Sequence, residues 1–200
     1  MTHTGWIETA SGIKFDLLDP QPEMVCAYDI AHALSKLCRF GGHCRQFYSV
    51  AEHSRHVYDV IGIDAFQVNP DNFPRDSLML AALLHDASEA YCVDVPRPLK
   101  GLLAGYKEIE HRIQCAVAAA FGFDPEEFDD PLIEDADRRM LSLEASELMP
   151  SKGTLWSTRV KPASITLGMW EPHAAARYFS CTLENLVRSR EAVAAAKGNQ

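Results

Sequence analysis

The strongest constraint on the fold is an uninterrupted apolar run, LMLAALL, over residues 78–84. A helix that is apolar on all sides belongs in the interior, so this run predicts a central helix surrounded by other helices. The run ends at His85 and Asp86, which bring two polar side chains into the same interior. Because an ionised aspartate is costly to bury without a partner, the adjacent imidazole and carboxylate indicate a bound cation.

Apolar residues recur at helical spacing through most of the chain. This spacing predicts helices from Asp29 to the glycines at 41–42, from Ser49 to about Gly62, and over residues 77–91, 107–121, 131–148 and 172–196. Ser49 with Glu52 three residues later is typical of a capping box, which predicts the start of the second helix.

Two other segments do not follow the helical period. Residues 6–16 contain two short strand-like pieces around Ser11 and Gly12, which predict a small β-hairpin. Residues 150–171 are rich in Gly, Ser, Thr and Pro and predict an irregular segment. The expected fold is therefore an all-α single domain over residues 1–200, with a core at about 28–148 and a small N-terminal hairpin.

Composition narrows the possible classes of protein. Of the 200 residues, 47% are hydrophobic and 24% are charged, as in an ordinary globular domain. The net charge of −9 argues against a nucleic-acid polymer as partner, because such polymers are bound through neutralised phosphates. No apolar run approaches the roughly 20 residues that cross a bilayer, so no membrane partner is expected. Without a signal peptide or a Cys-x-x-Cys pair among six cysteines, we expect a cytoplasmic protein with reduced thiols.

Two further polar residues fall on apolar helix faces. His53 aligns with Val50 and Val57, and Asp137 shares a face with Ile133 and Met140. Taken singly, such residues are more typical of hydrogen-bonded core groups or helix caps. Together with the His-Asp pair they form a set of two imidazoles and two carboxylates, which suits one divalent transition metal ion: cobalt, manganese, zinc, iron or nickel.

The sequence resembles the HD-domain metal-dependent phosphohydrolases. The resemblance rests on the order His53, His85-Asp86, Asp137, and on three flanking blocks: SVAEHS at 49–54, ALLHDASEA at 82–90 and DVPRPLK at 94–100. It covers roughly residues 28–148 and is similar to the branch that contains bacterial 5′-deoxynucleotidases and a phage dATP triphosphohydrolase. The resemblance implies an HD-type helical bundle, a nucleotide substrate and a homodimer or higher homo-oligomer.

The resemblance also implies the roles of individual residues. It makes His53, His85, Asp86 and Asp137 the metal ligands. Glu89 corresponds to a catalytic carboxylate near the attacking water, and Asp94 to a second acidic residue near the leaving group. From the residues alone, Asp94 is almost equally suited to capping the turn at Pro96.

Four more residues correspond to substrate contacts. Arg39 matches an arginine that binds phosphate, and Phe40 an aromatic residue near the base, where relatives usually carry tryptophan. Pro96 is expected as a rigid wall beside the base or sugar, and Lys100 as a weaker phosphate contact. The alternatives left open are that His43 or Arg45 replaces Arg39, and that Trp156 and Trp170 line either a pocket or an oligomer contact.

The expected function is hydrolysis of a deoxynucleoside 5′-monophosphate with release of phosphate. A dNTP triphosphohydrolase is the first alternative, and an alarmone hydrolase is a more distant one. A non-catalytic metal- or nucleotide-binding HD module is the alternative from another class of protein.

Overall fold

The computed structural model describes residues 5–70, 73–156 and 160–198. This part of the chain is mostly helical with one antiparallel hairpin, which confirms the predicted all-α class with a small β element. The elements are β1 (Trp6–Glu8), β2 (Lys14–Asp16), α1 (Ala27–Leu34), α2 (Val50–Val68), α3 (Asp76–Leu84), α4 (Glu89–Cys92), α5 (Arg97–Lys100), α6 (Tyr106–Phe121), α7 (Pro131–Leu148) and α8 (Pro172–Gly198), with short 3-10 turns at Pro22–Met24, Arg39–Gly42 and Pro125–Asp129.

The core surrounds α3, the helix that the apolar run predicts. Every residue from 78 to 84 is buried, so α3 has no solvent-facing side over this stretch. It packs against α2 and α8, while α2 also packs along α7. The inner faces of α2 and α7 therefore lie next to the C-terminal end of α3.

The N-terminal hairpin forms where it is expected and is fastened to the helices. Gly12 adopts a φ of +83°, a backbone conformation that favours glycine, in the turn between the strands. Phe15 is buried and stacks on Tyr91 with ring centroids 3.8 Å apart. The Asp29 carboxylate accepts hydrogen bonds from the backbone N and the hydroxyl of Ser11, each at 2.7 Å.

The prediction that the first helix reaches the glycines at 41–42 is wrong. α1 ends at Leu34, and the chain becomes extended at Cys38. An isolated antiparallel bridge joins Cys38 to Ser49, which precedes α2. Backbone groups that would form hydrogen bonds within a longer α1 pair here with the segment before α2 instead. Arg39 therefore lies in a short turn beside α2.

Two other helix boundaries differ from the prediction. The helix expected over 77–91 is divided, because Ala87 N donates to Leu84 O, three residues back rather than four, at 2.8 Å. α3 therefore ends at Leu84, and α4 starts separately at Glu89. α2 continues past Gly62 to Val68, since one glycine inside a helix is tolerated. The predicted bounds of α7 match the structure, and those of α6 match within one residue.

The irregular segment is confirmed over 150–156 and 160–171, where the described residues form neither helix nor strand. Residues 157–159, and the predicted domain limits at 1 and 200, lie outside the described residues. Among the helices in the described ranges, none combines the length and apolar character needed to cross a bilayer.

The end of this segment is fastened to α2 through Glu52. Ser49 Oγ accepts from Glu52 N at 3.1 Å, which confirms half of the predicted capping box. The Glu52 carboxylate does not complete the box. Instead it accepts hydrogen bonds from the backbone N atoms of Gly168, Met169 and Trp170 at 2.7–2.8 Å.

Candidate functional site

The structure brings the four predicted ligands together around one imidazole nitrogen. His53 comes from α2, His85 and Asp86 follow the end of α3, and Asp137 comes from α7. Nε2 of His53 lies 3.3 Å from Nε2 of His85 and 3.5 Å from an oxygen of Asp86, and one ligand atom from each of these three residues lies within 4.8 Å of the others. Asp137 lies beside this group, with an oxygen 3.2 Å from the same nitrogen of His53.

The hydrogen bonds behind the two imidazoles determine which ring nitrogens face this centre. His85 Nδ1 lies 2.9 Å from Ala82 O, and His53 Nδ1 lies 2.6 Å from Glu144 Oε1. A carbonyl and an ionised carboxylate only accept, so both Nδ1 atoms donate, and each Nε2 atom presents a lone pair to the centre whenever its ring is neutral. Lone pairs and carboxylates in such proximity repel one another unless a cation lies among them. The donor set therefore fits a divalent transition metal.

The pKa values at this centre also indicate that its carboxylates favour a nearby positive charge. Burial and Arg39 lower the pKa of His53, but the carboxylates of Glu144 and Asp137 outweigh them and raise it to about 10. Burial raises the pKa of Asp137, but the neighbouring His53 outweighs burial and brings it to about 2. A proton on His53 and a metal ion bound by His53 are thus two alternative ways to neutralise the charge of the carboxylates.

Glu144 is a site residue that sequence reasoning missed. It is fully buried on α7, and burial, which raises its pKa, is outweighed by Arg39 and His53, so that the pKa is lowered. One oxygen binds His53 Nδ1, and the other lies 3.1 Å from Nη2 of Arg39. The available signal was its position seven residues, or two helical turns, after Asp137, which places both carboxylates on the same face of the helix.

Arg39 is a buried part of the site rather than a surface residue. Its guanidinium binds Glu144 and lies 3.5 Å from the Asp86 carboxylate, so it is held directly beside the candidate ligands. The alternative Arg45 points elsewhere and donates to Pro150 O at 3.4 Å. Of the two basic residues proposed as replacements, only His43 lies along the same cavity.

A cavity of about 790 Å³ lies beside the ligands, and two of them, Asp86 and Asp137, line it. Its lining combines charged side chains, Arg39 among them, with apolar ones. All the predicted catalytic and substrate-binding residues line it. They are Arg39, Phe40, Glu89, Asp94, Pro96 and Lys100, together with Asp86, Asp137 and further residues that include Leu141, Met149 and Trp156.

Glu89 reaches this cavity from a short helix of its own. A single helix over 77–91, as predicted, would place Glu89 on the same face as His85, four residues earlier, but α3 ends before His85 and Glu89 begins α4. Its side chain is buried, and burial together with the charges of Asp86 and Asp94 raises its pKa. Within the described part of the chain, Oε2 has no hydrogen-bond partner, so this oxygen is free to accept a hydrogen from a water or a ligand.

Asp94 does not have the capping role that the sequence left open. Residue Pro96 stands at the N-cap of α5, and no side chain caps that helix. Instead Asp94 lines the cavity, and burial and the charge of Asp86 raise its pKa despite the opposing effect of Arg39. It follows Val93, whose φ of +62° is strained for a β-branched residue and turns the chain toward the cavity.

A second cavity of about 400 Å³ meets the ligands from another side. Its walls are largely acidic, with Glu110, Asp129 and Glu134 added to Asp86 and Asp137. Lys100 lines both cavities, but its Nζ is bound to Glu110 at 2.6 Å and lies 3.5 Å from Glu89. Glu110 is therefore an ion-pair partner within this cavity.

The two tryptophans of uncertain role are separated by the fold. Trp156 lines the large cavity and contacts the ring of Phe40. Trp170 packs against His56 and Tyr178 and takes no part in the cavity lining.

Comparison with known proteins gives two related sequences. The chain is 36% identical over 151 residues to the uncharacterized protein YfdR of Escherichia coli (strain K12), and the match covers 76% of each chain. The chain belongs to the YfdR family. A second relative, the uncharacterized protein RCAP_rcc00048 of Rhodobacter capsulatus, is 37% identical over 149 residues, which is 72% of each chain. A scan against protein-family models found no match.

Proposed function

We propose that this member of the YfdR family is a divalent-metal-dependent phosphohydrolase of the HD-domain type that removes phosphate from deoxynucleoside 5′-monophosphates. The observation that supports it is the cluster of His53, His85 and Asp86, with Asp137 beside it, next to a cavity that Asp86, Asp137 and the largely buried Arg39 line. A divalent ion held there would act as a Lewis acid, polarising a phosphoryl group and making water more acidic.

Three side chains of the protein would bind the phosphate, activate the water and protonate the leaving group. The Arg39 guanidinium is fixed by Glu144, so it is oriented for phosphate before the substrate arrives. Glu89 Oε2 has no partner among the described residues, so in its ionised form it can accept a hydrogen from the attacking water. Asp94 lines the same cavity, and in its protonated form it could donate to the departing alkoxide.

The charges around the site favour a monophosphate. A polyphosphate needs several cations along its length, but Lys100 is already bound to Glu110 and the second cavity is acidic. Arg39 lies against two carboxylates, and Arg97, the other arginine that lines the cavity, is largely exposed and lies 3.8 Å from the Asp137 carboxylate. These features support release of phosphate rather than triphosphate. The homo-oligomer and the cytoplasmic location stay predictions.

A substrate panel tests the proposal. Purified protein is incubated with the four dNMPs and the four dNTPs in the presence of Mn²⁺, Co²⁺, Zn²⁺, Fe²⁺ or Ni²⁺, and released phosphate and triphosphate are measured separately. We expect phosphate from dNMPs with at least one metal. Release of triphosphate would replace the substrate assignment, and metal binding without any turnover would favour a binding module.

Glu89→Gln provides the matched test of chemistry. The amide keeps the size of the side chain but is a weaker acceptor for a water proton, and the residue lies outside the ligand set. We expect metal content to be unchanged and turnover to fall by about 10²-fold or more. An unchanged turnover number would remove Glu89 from the mechanism.

A further inference from the structure

The two aromatic side chains in the large cavity are not equivalent. Phe40 and Trp156 meet nearly edge to face, with ring centroids 5.5 Å apart and an angle of 68° between the planes. The guanidinium carbon of Arg39 lies over the Phe40 ring, 5.5 Å from its centroid. One face of Phe40 is therefore already covered by a charged group of the site itself.

The backbone supports a positioning role for Phe40. Its φ of +59° lies in the left-handed region, which costs energy for a residue with a side chain. The strain fixes the ring between the guanidinium of Arg39 and the indole of Trp156. Phe40 thus supports its two neighbours and is poorly placed to stack on a ligand.

Trp156 has the better position for a ligand contact. It ends a turn in which its backbone N donates to Gly153 O at 2.9 Å. Its side chain is half-buried and lines the same cavity as the apolar Leu141 and Met149 and the candidate phosphate contact Arg39. A nucleotide combines the same two kinds of group, a charged phosphate and a planar apolar-faced ring.

We propose that Trp156, and not Phe40, is the residue on which the base of the nucleotide stacks, and that Phe40 positions Arg39 and Trp156. The identity of the ligand as a nucleotide rests on the function proposed above. An indole face stacks on purines and pyrimidines alike, so Trp156 supplies affinity for a base with little choice among bases. The ligand that contacts Trp156 is therefore expected to carry a planar heteroaromatic ring.

Fluorescence gives a direct test, because the other indoles can be removed. Trp6 lies on the exposed hairpin, and Trp170 packs away from the cavity. The double variant Trp6→Phe/Trp170→Phe leaves Trp156 as the reporter. The Mn²⁺-loaded protein, with Glu89→Gln added to prevent turnover, is titrated with dAMP and with 2-deoxyribose 5-phosphate, which lacks a base. We expect saturable quenching by dAMP and none by the base-free ester.

Binding measurements on substituted proteins then distinguish the stacking role of Trp156 from the positioning role of Phe40. In Trp156→Ala we expect dAMP affinity, measured by calorimetry, to fall roughly 10- to 100-fold, and affinity for 2-deoxyribose 5-phosphate to stay the same. Phe40→Leu should instead weaken the binding of both ligands, because it removes the ring that packs on the Arg39 guanidinium. Trp156→Phe should lose only part of the affinity, which checks that the alanine variant is folded.

The outcomes distinguish the two proposals. Equal loss of both ligands in Trp156→Ala, or dAMP binding without quenching, would overturn the base contact, as would a complete failure to bind dAMP. If dAMP quenches Trp156 but the unsubstituted protein hydrolyses no dNMP, the base site stands and the enzymatic proposal fails. If dNMPs are hydrolysed with the same KM in Trp156→Ala, the enzymatic proposal stands and the base site fails.

Discussion

Glu144 connects the candidate metal centre to the candidate phosphate contact. A single buried carboxylate binds the back of His53 and the guanidinium of Arg39. Carboxylates in this position hold a ligand imidazole in one tautomer and increase its basicity. Under the proposed function, Glu144 would act on a bound metal through His53 and on a substrate phosphate through Arg39.

We predict that Glu144→Gln lowers metal affinity by about 10- to 100-fold, the usual effect of losing such a partner. The amide removes the negative charge that favours a donating Nδ1 on His53. The measurement is a competition titration with a chromophoric chelator. Glu147→Gln is the matched control, because this neighbour on the same helix is exposed. Equal affinity in the two variants would contradict the role assigned to Glu144.

Local pattern explains why some site residues were predictable and Glu144 was not. His53 and Asp137 interrupt apolar faces of their own helices, and His85 and Asp86 end an apolar run, so short stretches of sequence are enough to identify them. The role of Glu144 depends on a partner 91 residues away, a relation that one sequence does not contain.

At the scale of elements, the end of α3 determines how the site is shaped. The helical period continues through residues 77–91, so periodicity alone favours one long helix. The change from four-residue to three-residue hydrogen bonding after Leu84 leaves the period almost unchanged but turns the chain. That turn places Asp86 at the candidate metal centre and Glu89 in the cavity. A continuous helix would direct these two side chains differently.

The end of the irregular segment is held by hydrogen bonds to α2, and sequence periodicity does not predict these contacts either. Glu52 is fully buried and satisfies three successive backbone N–H groups at Gly168, Met169 and Trp170. Glycine is required at 168 because a Cβ there would overlap the indole Nε1 of Trp170. The carboxylate thus orders the end of a segment that has no regular structure of its own.

Glu52→Ala is predicted to destabilise the fold by at least ~3 kcal/mol, because it leaves three amide groups near the core without their acceptor. Urea unfolding followed by circular dichroism measures the effect. Glu147→Ala, at an exposed helical position, is the control and should stay within about 0.5 kcal/mol of the unsubstituted protein. A loss of the same small size in Glu52→Ala would show that the three hydrogen bonds contribute little.

At the scale of the whole molecule, the fold combines a net charge of −9 with a site suited to a phosphate. The opposing charge is concentrated at one place, where Arg39 and the cation-binding cluster meet. The architecture follows from apolar periodicity, so its class and most helix positions could be predicted. The cavities lie among the turn at Arg39–Gly42, the segment that follows α3, and α7, and the relative placement of these parts depends on packing between segments distant in sequence.

A metal that joins three helices should stabilise the whole fold. Because the ion binds the folded chain and not the unfolded one, we predict that removing it with a chelator lowers Tm by roughly 5–10 °C, and that adding metal restores it. Differential scanning calorimetry provides the measurement. A chelator effect of equal size in Asp137→Ala would place the stabilising ion somewhere else.

The most direct test of the account is metal content. The unsubstituted protein and Asp137→Ala are each loaded with Mn²⁺ or Zn²⁺, passed through a desalting column and analysed by inductively coupled plasma mass spectrometry. The account predicts about one ion per chain in the unsubstituted protein and a large loss in Asp137→Ala, with the ion retained in Glu89→Gln. No retained ion in the unsubstituted protein, or the same amount in Asp137→Ala, would contradict it.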